Sequence, residues 1–181
     1  RGLLAVSGGR DSVALFYAFM ELGFEFEVAH INYGLRGSES DGDEDFVKKI
    51  CNNHHIICHV HRANPETSAP GESTQMWARR VRYDFFGGIL SSRNLDYTAV
   101  AHHAGDQLEH FFIYLWRNQT DIAFRGILPQ NGSVIRPMLG ILSSQIHAFL
   151  VEAGRTWRED SSNAKTDYLR NKIRHGIVGM M

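Results

Sequence analysis

The chain has 181 residues, of which 43% are apolar and 22% are charged, and its formal net charge is −1. These values are typical of a globular protein with a core. They exclude a general electrostatic attraction to nucleic acid, so a polyanionic partner needs a local basic patch. No apolar stretch reaches the roughly 20 residues of a membrane span, and Cys51 and Cys58 do not form a C-x-x-C pair. We therefore expect a cytoplasmic protein with reduced thiols and no membrane contact.

Strand-like and helix-like segments alternate along the chain. Apolar runs predict five strands, at residues 3–6, 24–30, 56–61, 97–101 and 134–136, and helical periodicity predicts helices at residues 11–22, 43–53, 74–90, 106–116, 143–153 and 167–178. Because strands separated by helices are typical of parallel sheets, the sequence predicts an α/β fold with a doubly wound, five-stranded parallel sheet. We expect the sheet domain to span residues 1–140. A short helical extension, residues 141–181, is expected to lead to a C-terminal part that is absent from this chain.

The segment between the first strand and the first helix is the most informative one, and it reads Ser7-Gly8-Gly9-Arg10-Asp11-Ser12. Two glycines let the backbone approach a ligand closely, and the N–H groups and dipole of the following helix favour an anion. Ser7 and Ser12 add hydroxyl donors. Asp11 beside a phosphate would be repulsive without a cation, which indicates Mg²⁺. The alternative is a glycine turn in which Asp and Ser only cap the helix, but the full pattern between a strand and a helix favours phosphate binding.

This loop resembles the pyrophosphate-binding loop of the N-type ATP pyrophosphatases. Members of that superfamily cleave ATP between its α and β phosphates to adenylate a substrate. The resemblance implies a Rossmann-like N-type ATP pyrophosphatase fold, with ATP bound at the carboxyl ends of the strands.

Further segments resemble, in chain order, the motifs of one family in that superfamily, the tRNA(Ile)-lysidine synthetases. They are HINYGLRG at residues 30–37, ARRVRY at 78–83, AHHAGDQLE at 101–109, IRPML at 135–139, and EDSSN with YLRNKIR between 159 and 174. The chain departs from the family pattern at four places, which are Tyr33 for His, Gly105 for Asp, His110 for Thr, and Asn118-Gln119-Thr120 for a glycine-rich stretch.

The resemblance implies an ATP-dependent ligase. The wobble cytidine of tRNA(Ile), in a CAU anticodon, is adenylated with loss of pyrophosphate, and L-lysine then displaces AMP to give lysidine. ATP and Mg²⁺ are the implied cofactors, and a homodimer is compatible with the sequence. Two alternatives stay open, a tRNA thiolase of the same superfamily and a non-catalytic ATP-binding domain. A thiolase usually needs cysteines, and neither Cys51 nor Cys58 is near the matched motifs.

The resemblance also implies roles for particular residues. The expected catalytic residues are Asp11, Asp106, Glu109 and Arg170, with Asp11 and Asp106 as Mg²⁺ ligands. The expected ATP-binding residues are Ser7, Gly8, Gly9, Arg10, Asp11, Ser12, His30, Arg36 and His102, and the expected tRNA-binding residues are Arg79, Arg82, Arg136 and Arg174.

Simpler explanations exist for several of these residues. Asp106 and Glu109 share a helix face, yet Asp106 could only cap the helix and Glu109 could pair with a surface cation. Any single arginine could form a surface salt bridge. A zinc site in the histidine-rich segment 54–61 is not favoured, since a strand with mixed polar and apolar residues explains that segment adequately.

Overall fold

The computed structural model describes residues 1–159, and within them six strands form one sheet in the order β3-β2-β1-β4-β6-β5. The strands are β1 (Gly2–Ala5), β2 (Phe26–Asn32), β3 (Cys58–Arg62), β4 (Tyr97–Ala99), β5 (Gln130–Asn131) and β6 (Val134–Ile135). The helices are α1 (Arg10–Glu21), α2 (Ser38–Asn53), α3 (Thr74–Arg93), α4 (Ala104–Trp116), α5 (Thr120–Arg125) and α6 (Ser143–Glu152), with a short 3₁₀ helix at Pro65–Thr67.

The central strand β1 pairs in parallel with β2 on one side and β4 on the other, so that Leu4 lies opposite both Val28 and Ala99. Leu3 and Leu4 are both fully buried. Leu4 packs in the core cluster that contains α1, and Leu3 packs with Phe86 of α3 on the opposite face. Burial of both faces explains why β1 is a continuous apolar run, and the predicted α/β, doubly wound fold is confirmed.

The chain runs from β1 to β2 and β3 on one side before it crosses to β4 on the other side of β1. The direction of winding therefore reverses between β1 and β4. In open α/β sheets, ligands bind at the carboxyl ends of the strands beside such a reversal.

The five predicted strands correspond to β1, β2, β3, β4 and β6 and are parallel to one another, but the sheet has a sixth strand that was not predicted. The additional strand β5 pairs antiparallel with β6, with Gln130 opposite Ile135 and Asn131 opposite Val134. Gly132, at a φ of 58°, begins the two-residue turn between them. Strand β5 consists of two polar residues, so no apolar run or alternation marks it in the sequence.

Two helices also differ from the prediction. Helix α2 begins at Ser38 rather than at residue 43, so the acidic residues Glu39 and Asp41 lie in its first turn, where the helix dipole favours them. The six-residue helix α5 was not predicted. The helix expected at residues 167–178 lies outside the described residues.

Helix α6 packs on α1, and its residues Ile146 and Leu150 belong to the same core cluster as Leu4 and Val13. Residues of α6 therefore share the core of the sheet domain, and within residues 1–159 no separate core marks a boundary near residue 140. The two-part division stays a prediction. None of the helices in this described range has both the length and the apolar character that a membrane crossing needs.

Candidate functional site

A cleft of about 480 Å³ opens at the carboxyl ends of β1, β2 and β4. Its apolar walls come from small and aliphatic side chains at the strand ends and from one aromatic ring of α3. Its polar end is the loop between β1 and α1. The residues that line these two parts are Ala5, Ala29, Ile31, Phe86, Val100 and Ala101 for the apolar walls, and Ser7, Gly9, Arg10, Asp11 and Ser12 for the loop.

The loop is held in shape by its own hydrogen bonds. The Ser12 hydroxyl donates to the Gly9 carbonyl at 2.9 Å and accepts from the Ser7 N–H at 3.1 Å. Gly8 has a φ of 97°, a conformation that L side chains rarely adopt. Ser12 therefore braces the turn in addition to lining the cleft.

Helix α1 begins directly after this turn, with Gly9 at its N-cap and no side chain capping it. The first-turn N–H groups of a helix have no acceptor within the helix. The first residues of α1, from Arg10 to Ser12, line this end of the cleft, so an anion bound there would meet the positive end of the helix dipole. The glycine turn and the uncapped helix start are thus both present at this end of the cleft, and phosphate binding stays a prediction.

Two predicted catalytic carboxylates meet at one histidine. His103 Nε2 lies 3.5 Å from Asp11 Oδ2 and 3.8 Å from Asp106 Oδ2. The other ring nitrogen, Nδ1, accepts the Gly105 N–H at 3.0 Å, which assigns the proton of a neutral ring to Nε2. The ring therefore presents its N–H to Asp11, while the Asp106 oxygen at 3.8 Å is near Nε2 but beyond hydrogen-bond distance.

The charge of Asp11 is set by competing effects. Burial disfavours the ionised carboxylate, while the His103 hydrogen bond and the adjacent Arg10 guanidinium favour it, and the net result is a pKa below the ordinary value. Arg10 Nε donates to Asp11 Oδ1 at 3.0 Å. Asp11 is therefore an anion at neutral pH.

Helix α4 carries Asp106 and Glu109, and both are buried, with exposed fractions of 7% and 2%. Asp106 Oδ2 accepts the His103 N–H at 2.9 Å, and His103 caps the helix in return. Asp106 thus caps the start of α4, as the simpler explanation predicts, and it also lines the cleft. His102 lines the cleft as well. Glu109 lies further along α4 and is not among the cleft-lining residues.

His30 and Arg36 lie beside the cleft rather than on its surface. His30 is 3% exposed and its Nδ1 donates to the Val6 carbonyl at 2.9 Å, so it joins the ends of β1 and β2. Burial lowers the pKa of His30, which keeps the ring neutral. Arg36 NH2 donates to Asp43 Oδ2 of α2 at 2.7 Å.

Arg82 of α3 lines the cleft and is oriented by Tyr33, the residue that replaces the family's His. The Tyr33 hydroxyl accepts from Arg82 Nε at 3.1 Å and donates to the Ala78 carbonyl at 3.2 Å. Tyr33 therefore fixes an arginine at the rim of the cleft.

Arg79 and Arg136 lie together in a second, smaller cavity of about 220 Å³, which Tyr83 also lines. The Arg79 guanidinium lies 4.7 Å from the centroid of the Tyr83 ring, and Arg136 NH1 donates to the Leu128 carbonyl at 2.8 Å. Arg170 and Arg174 are outside the described residues.

The sequence interpretation missed two residues of this site, His103 and Arg158. His103 stands in the AHHAGDQLE segment, but the spacing gave no reason to prefer it to His102. Arg158 lines the cleft next to the loop, although 146 residues of chain separate it from Ser12. No sequence signal links positions so far apart.

A PP-loop domain family model matches residues 1–181. The tRNA(Ile)-lysidine synthase of Bacteroides thetaiotaomicron is 38% identical over 181 residues, which cover 99% of this chain and 42% of that protein. The enzyme of the same name from Bacillus subtilis is 36% identical over 185 residues, with coverage of 97% and 39%. The predicted resemblance is confirmed, and the chain spans about two fifths of the length of these two relatives.

Two solved structures share the fold at low sequence identity. The U34-tRNA thiolase NcsA from Methanococcus maripaludis, with its [4Fe-4S] cluster, gives a TM-score of 0.77 at 16% identity and covers 96% of this chain and 64% of its own. NMN synthetase from Francisella tularensis gives 0.59 at 11%, with coverage of 86% and 62%. With the loop geometry and the family match over its whole length, this chain belongs to the PP-loop domain family.

Proposed function

We propose that this chain is the catalytic domain of an enzyme that ligates L-lysine to the wobble cytidine of tRNA(Ile) at the expense of ATP. The convergence of Asp11 and Asp106 on His103, beside a phosphate-binding loop, carries the proposal. The names of the curated relatives supply the substrate class.

The proposed reaction has two steps at one cleft. The O2 atom of the cytidine attacks the α-phosphorus of ATP, and the bond to pyrophosphate breaks. The lysine amine then attacks C2, the C2–O bond breaks, and AMP leaves with that oxygen while the amine loses a proton. We assign the acceptance of this proton to Asp106, which is buried and lines the cleft, as its role in the second step, whereas its role in the first step is to hold the metal.

The chain's own groups supply the binding for both steps. The N–H groups at the start of α1 hold the phosphates, and the apolar walls of the cleft hold the nucleoside and exclude water. We assign tRNA binding to Arg82, which lines the cleft, and to Arg79 and Arg136, which line the neighbouring cavity. The roles of Arg170 and Arg174 stay predictions.

The two carboxylates near His103 fit the coordination of a magnesium ion. Mg²⁺ in proteins is usually held by one or two carboxylates together with substrate phosphates and water. Asp11 and Asp106 provide two carboxylates at the polar end of the cleft. When bound there, the ion would neutralise phosphate charge as pyrophosphate leaves.

Neither cysteine favours the thiolase alternative. Cys51 is buried in α2 and Cys58 lies in β3, and neither lines the cleft. The CAU anticodon remains a prediction from the resemblance, and a homodimer and a cytoplasmic location remain predictions from the sequence.

The test uses the longest product of the gene that encodes this chain, incubated with ATP, Mg²⁺, L-lysine and total tRNA. We expect radioactive lysine to enter tRNA, with one AMP and one pyrophosphate formed for each lysine. Asp11→Asn should lower pyrophosphate release at least about 100-fold, since a carboxylate that would hold the charge-neutralising Mg²⁺ beside the phosphates is lost. Asp84→Asn, at an exposed position of α3, is the matched control and should leave the rate unchanged.

Each alternative gives a different result in the same assay. Sulfur incorporation into tRNA from a sulfide donor, without lysine incorporation, would identify a thiolase. ATP binding without pyrophosphate release would identify a non-catalytic domain. Full activity of Asp11→Asn would exclude the role given to that carboxylate.

A further inference from the structure

Arg158 is attached to the phosphate-binding loop through its backbone. Its N–H donates to the Gly8 carbonyl at 2.9 Å, and residue 158 forms an isolated parallel bridge with Gly9. The chain beyond α6 therefore returns to the carboxyl end of β1. This contact places the side chain of residue 158 beside the two glycines, whatever that side chain is.

The Arg158 side chain is oriented by Asp43 of α2. Its Nε donates to Asp43 Oδ1 at 3.1 Å, while the other oxygen of the same carboxylate accepts from Arg36 at 2.7 Å. Asp43 is 7% exposed. Gly42 provides room for this arrangement, since a Cβ on Gly42 would lie 3.0 Å from Arg158 NH2.

The terminal amino groups of Arg158 are available for a ligand. Within residues 1–159 the hydrogen bond to Asp43 is the one that its guanidinium makes, and it uses Nε. Arg158 lines the cleft with Ser7 and Gly9, and Glu159 lines it as well. Trp157 Nε1 donates to Glu159 Oε1 at 2.7 Å and so engages one oxygen of that carboxylate.

The position of Arg158 indicates which end of a bound nucleotide its side chain would contact. It lies at Gly8 and Gly9 on the side of α2, whereas the apolar walls lie around the ends of β1, β2 and β4. A planar guanidinium whose two amino groups make no hydrogen bond within residues 1–159 suits a bidentate contact with phosphate oxygens. Given the ATP binding of the proposed function, we propose that Arg158, positioned by Asp43, binds the β- and γ-phosphates of ATP and the pyrophosphate that leaves.

The test measures binding of three probes by titration calorimetry in the presence of Mg²⁺. They are α,β-methylene-ATP, inorganic pyrophosphate and AMP. Arg158→Gln should weaken binding of the first two by about 10- to 100-fold, the range expected for a lost charge-assisted contact. Its affinity for AMP should change less than about twofold, because AMP has no outer phosphates. Lys49→Gln, an exposed change on α2 that removes the same charge, is the control and should leave all three affinities unchanged.

Two further variants separate ligand binding from a structural role. Arg158→Lys keeps the charge and should recover part of the pyrophosphate affinity. Asp43→Asn should weaken pyrophosphate binding less than Arg158→Gln does, because Asp43 orients the guanidinium and does not itself contact the phosphates.

Equal losses for AMP and pyrophosphate would overturn the proposal and assign Arg158 a structural role, and unchanged affinities would overturn it as well. These measurements use no tRNA or lysine. They can therefore fail while lysine ligation succeeds, or succeed while ligation fails.

Discussion

At the scale of single residues, the phosphate-binding loop depends on two glycines that have different tasks. Gly8 has a φ of 97°, whereas Gly9 has an ordinary extended conformation with a φ of −72° and begins α1. Only Gly8 needs the freedom of a residue without Cβ. Gly9 keeps the backbone accessible, since a Cβ there would meet only the Ser7 hydroxyl at 3.6 Å.

We predict that Gly8→Ala lowers the free energy of unfolding by about 1–2 kcal/mol, the cost of placing an L side chain at positive φ. Binding of α,β-methylene-ATP should weaken in parallel because the loop changes shape. Urea titration and calorimetry provide the two measurements. Gly9→Ala is the matched control for stability and should change it by less than about 0.5 kcal/mol. Equal destabilisation by the two variants would contradict the assignment.

Two departures from the family motifs have local explanations. A Cβ at Gly105 would lie 2.7 Å from His103 Cε1, so the absence of a side chain there permits the ring to cap α4. Asn118 adopts a φ of 56° before α5, a conformation that Asn tolerates better than most residues. Asn118 can therefore take the place of a glycine in that connection.

At the scale of elements, α2 is joined to β2 and β3 by one buried carboxylate. Glu44 is 1% exposed, and it accepts from Arg62 Nε at 2.8 Å and from Asn32 Nδ2 at 3.0 Å. Lys48 donates to it as well. Since α2 also carries Asp43, this network fixes the helix that positions Arg158.

The Arg62 hydrogen bonds, followed by those of Lys48 and Asn32, outweigh burial and lower the pKa of Glu44 from 4.5 to about 2. A lowered pKa in the folded state stabilises the fold above the unfolded value, and that stabilisation is lost as the pH falls from about 4.5 to about 2.

We predict that Glu44→Gln lowers the free energy of unfolding at pH 7 by about 1–3 kcal/mol and that the difference from the parent disappears towards pH 2. Urea titrations between pH 2 and pH 7 provide the comparison. Glu21→Gln, at the exposed end of α1, should leave the acid limb unchanged. A constant difference across this pH range would show that the Glu44 charge is not the cause.

At the scale of the whole molecule, Glu27 joins four parts of the chain near the amino ends of the strands, on the side of the sheet away from the cleft. It is 1% exposed in β2, and it accepts from Arg1 near the N-terminus at 2.6 Å, from His59 of β3 at 2.5 Å and from Arg93 of α3 at 3.0 Å. Burial is outweighed by the Arg93 and His59 hydrogen bonds, so the pKa of Glu27 lies below its ordinary value.

We predict that Glu27→Gln lowers Tm, because an amide cannot satisfy three donors. A loss of about 1–3 kcal/mol is expected for hydrogen bonds to a charged group, which corresponds to about 2–4 °C for each kcal/mol in a domain of this size. Calorimetric scans of the parent, Glu27→Gln and the exposed-site control Glu25→Gln make the comparison. Equal Tm values for the two variants would contradict the prediction.

The local pattern of the sequence was sufficient for the fold class and five of the six strands, and it singled out the loop between β1 and α1. Adjacent residues there create the signal, as in the apolar run Leu3-Leu4-Ala5-Val6 followed by the glycine turn. Strand β5 could not be predicted in the same way, since its two residues are both polar.

The sequence by itself determined the features that depend on residues adjacent in the chain. These features are a strand, a glycine at positive φ, a helix start whose first N–H groups have no acceptor within the helix, and a carboxylate beside it. What only the tertiary structure decided is which distant side chains reach that place. His103 and Arg158 meet the loop because β4 pairs beside β1 and the chain after α6 returns to Gly8. These contacts depend on how the elements pack across the sheet. Neither the periodicity nor the spacing of residues in the sequence indicates that packing.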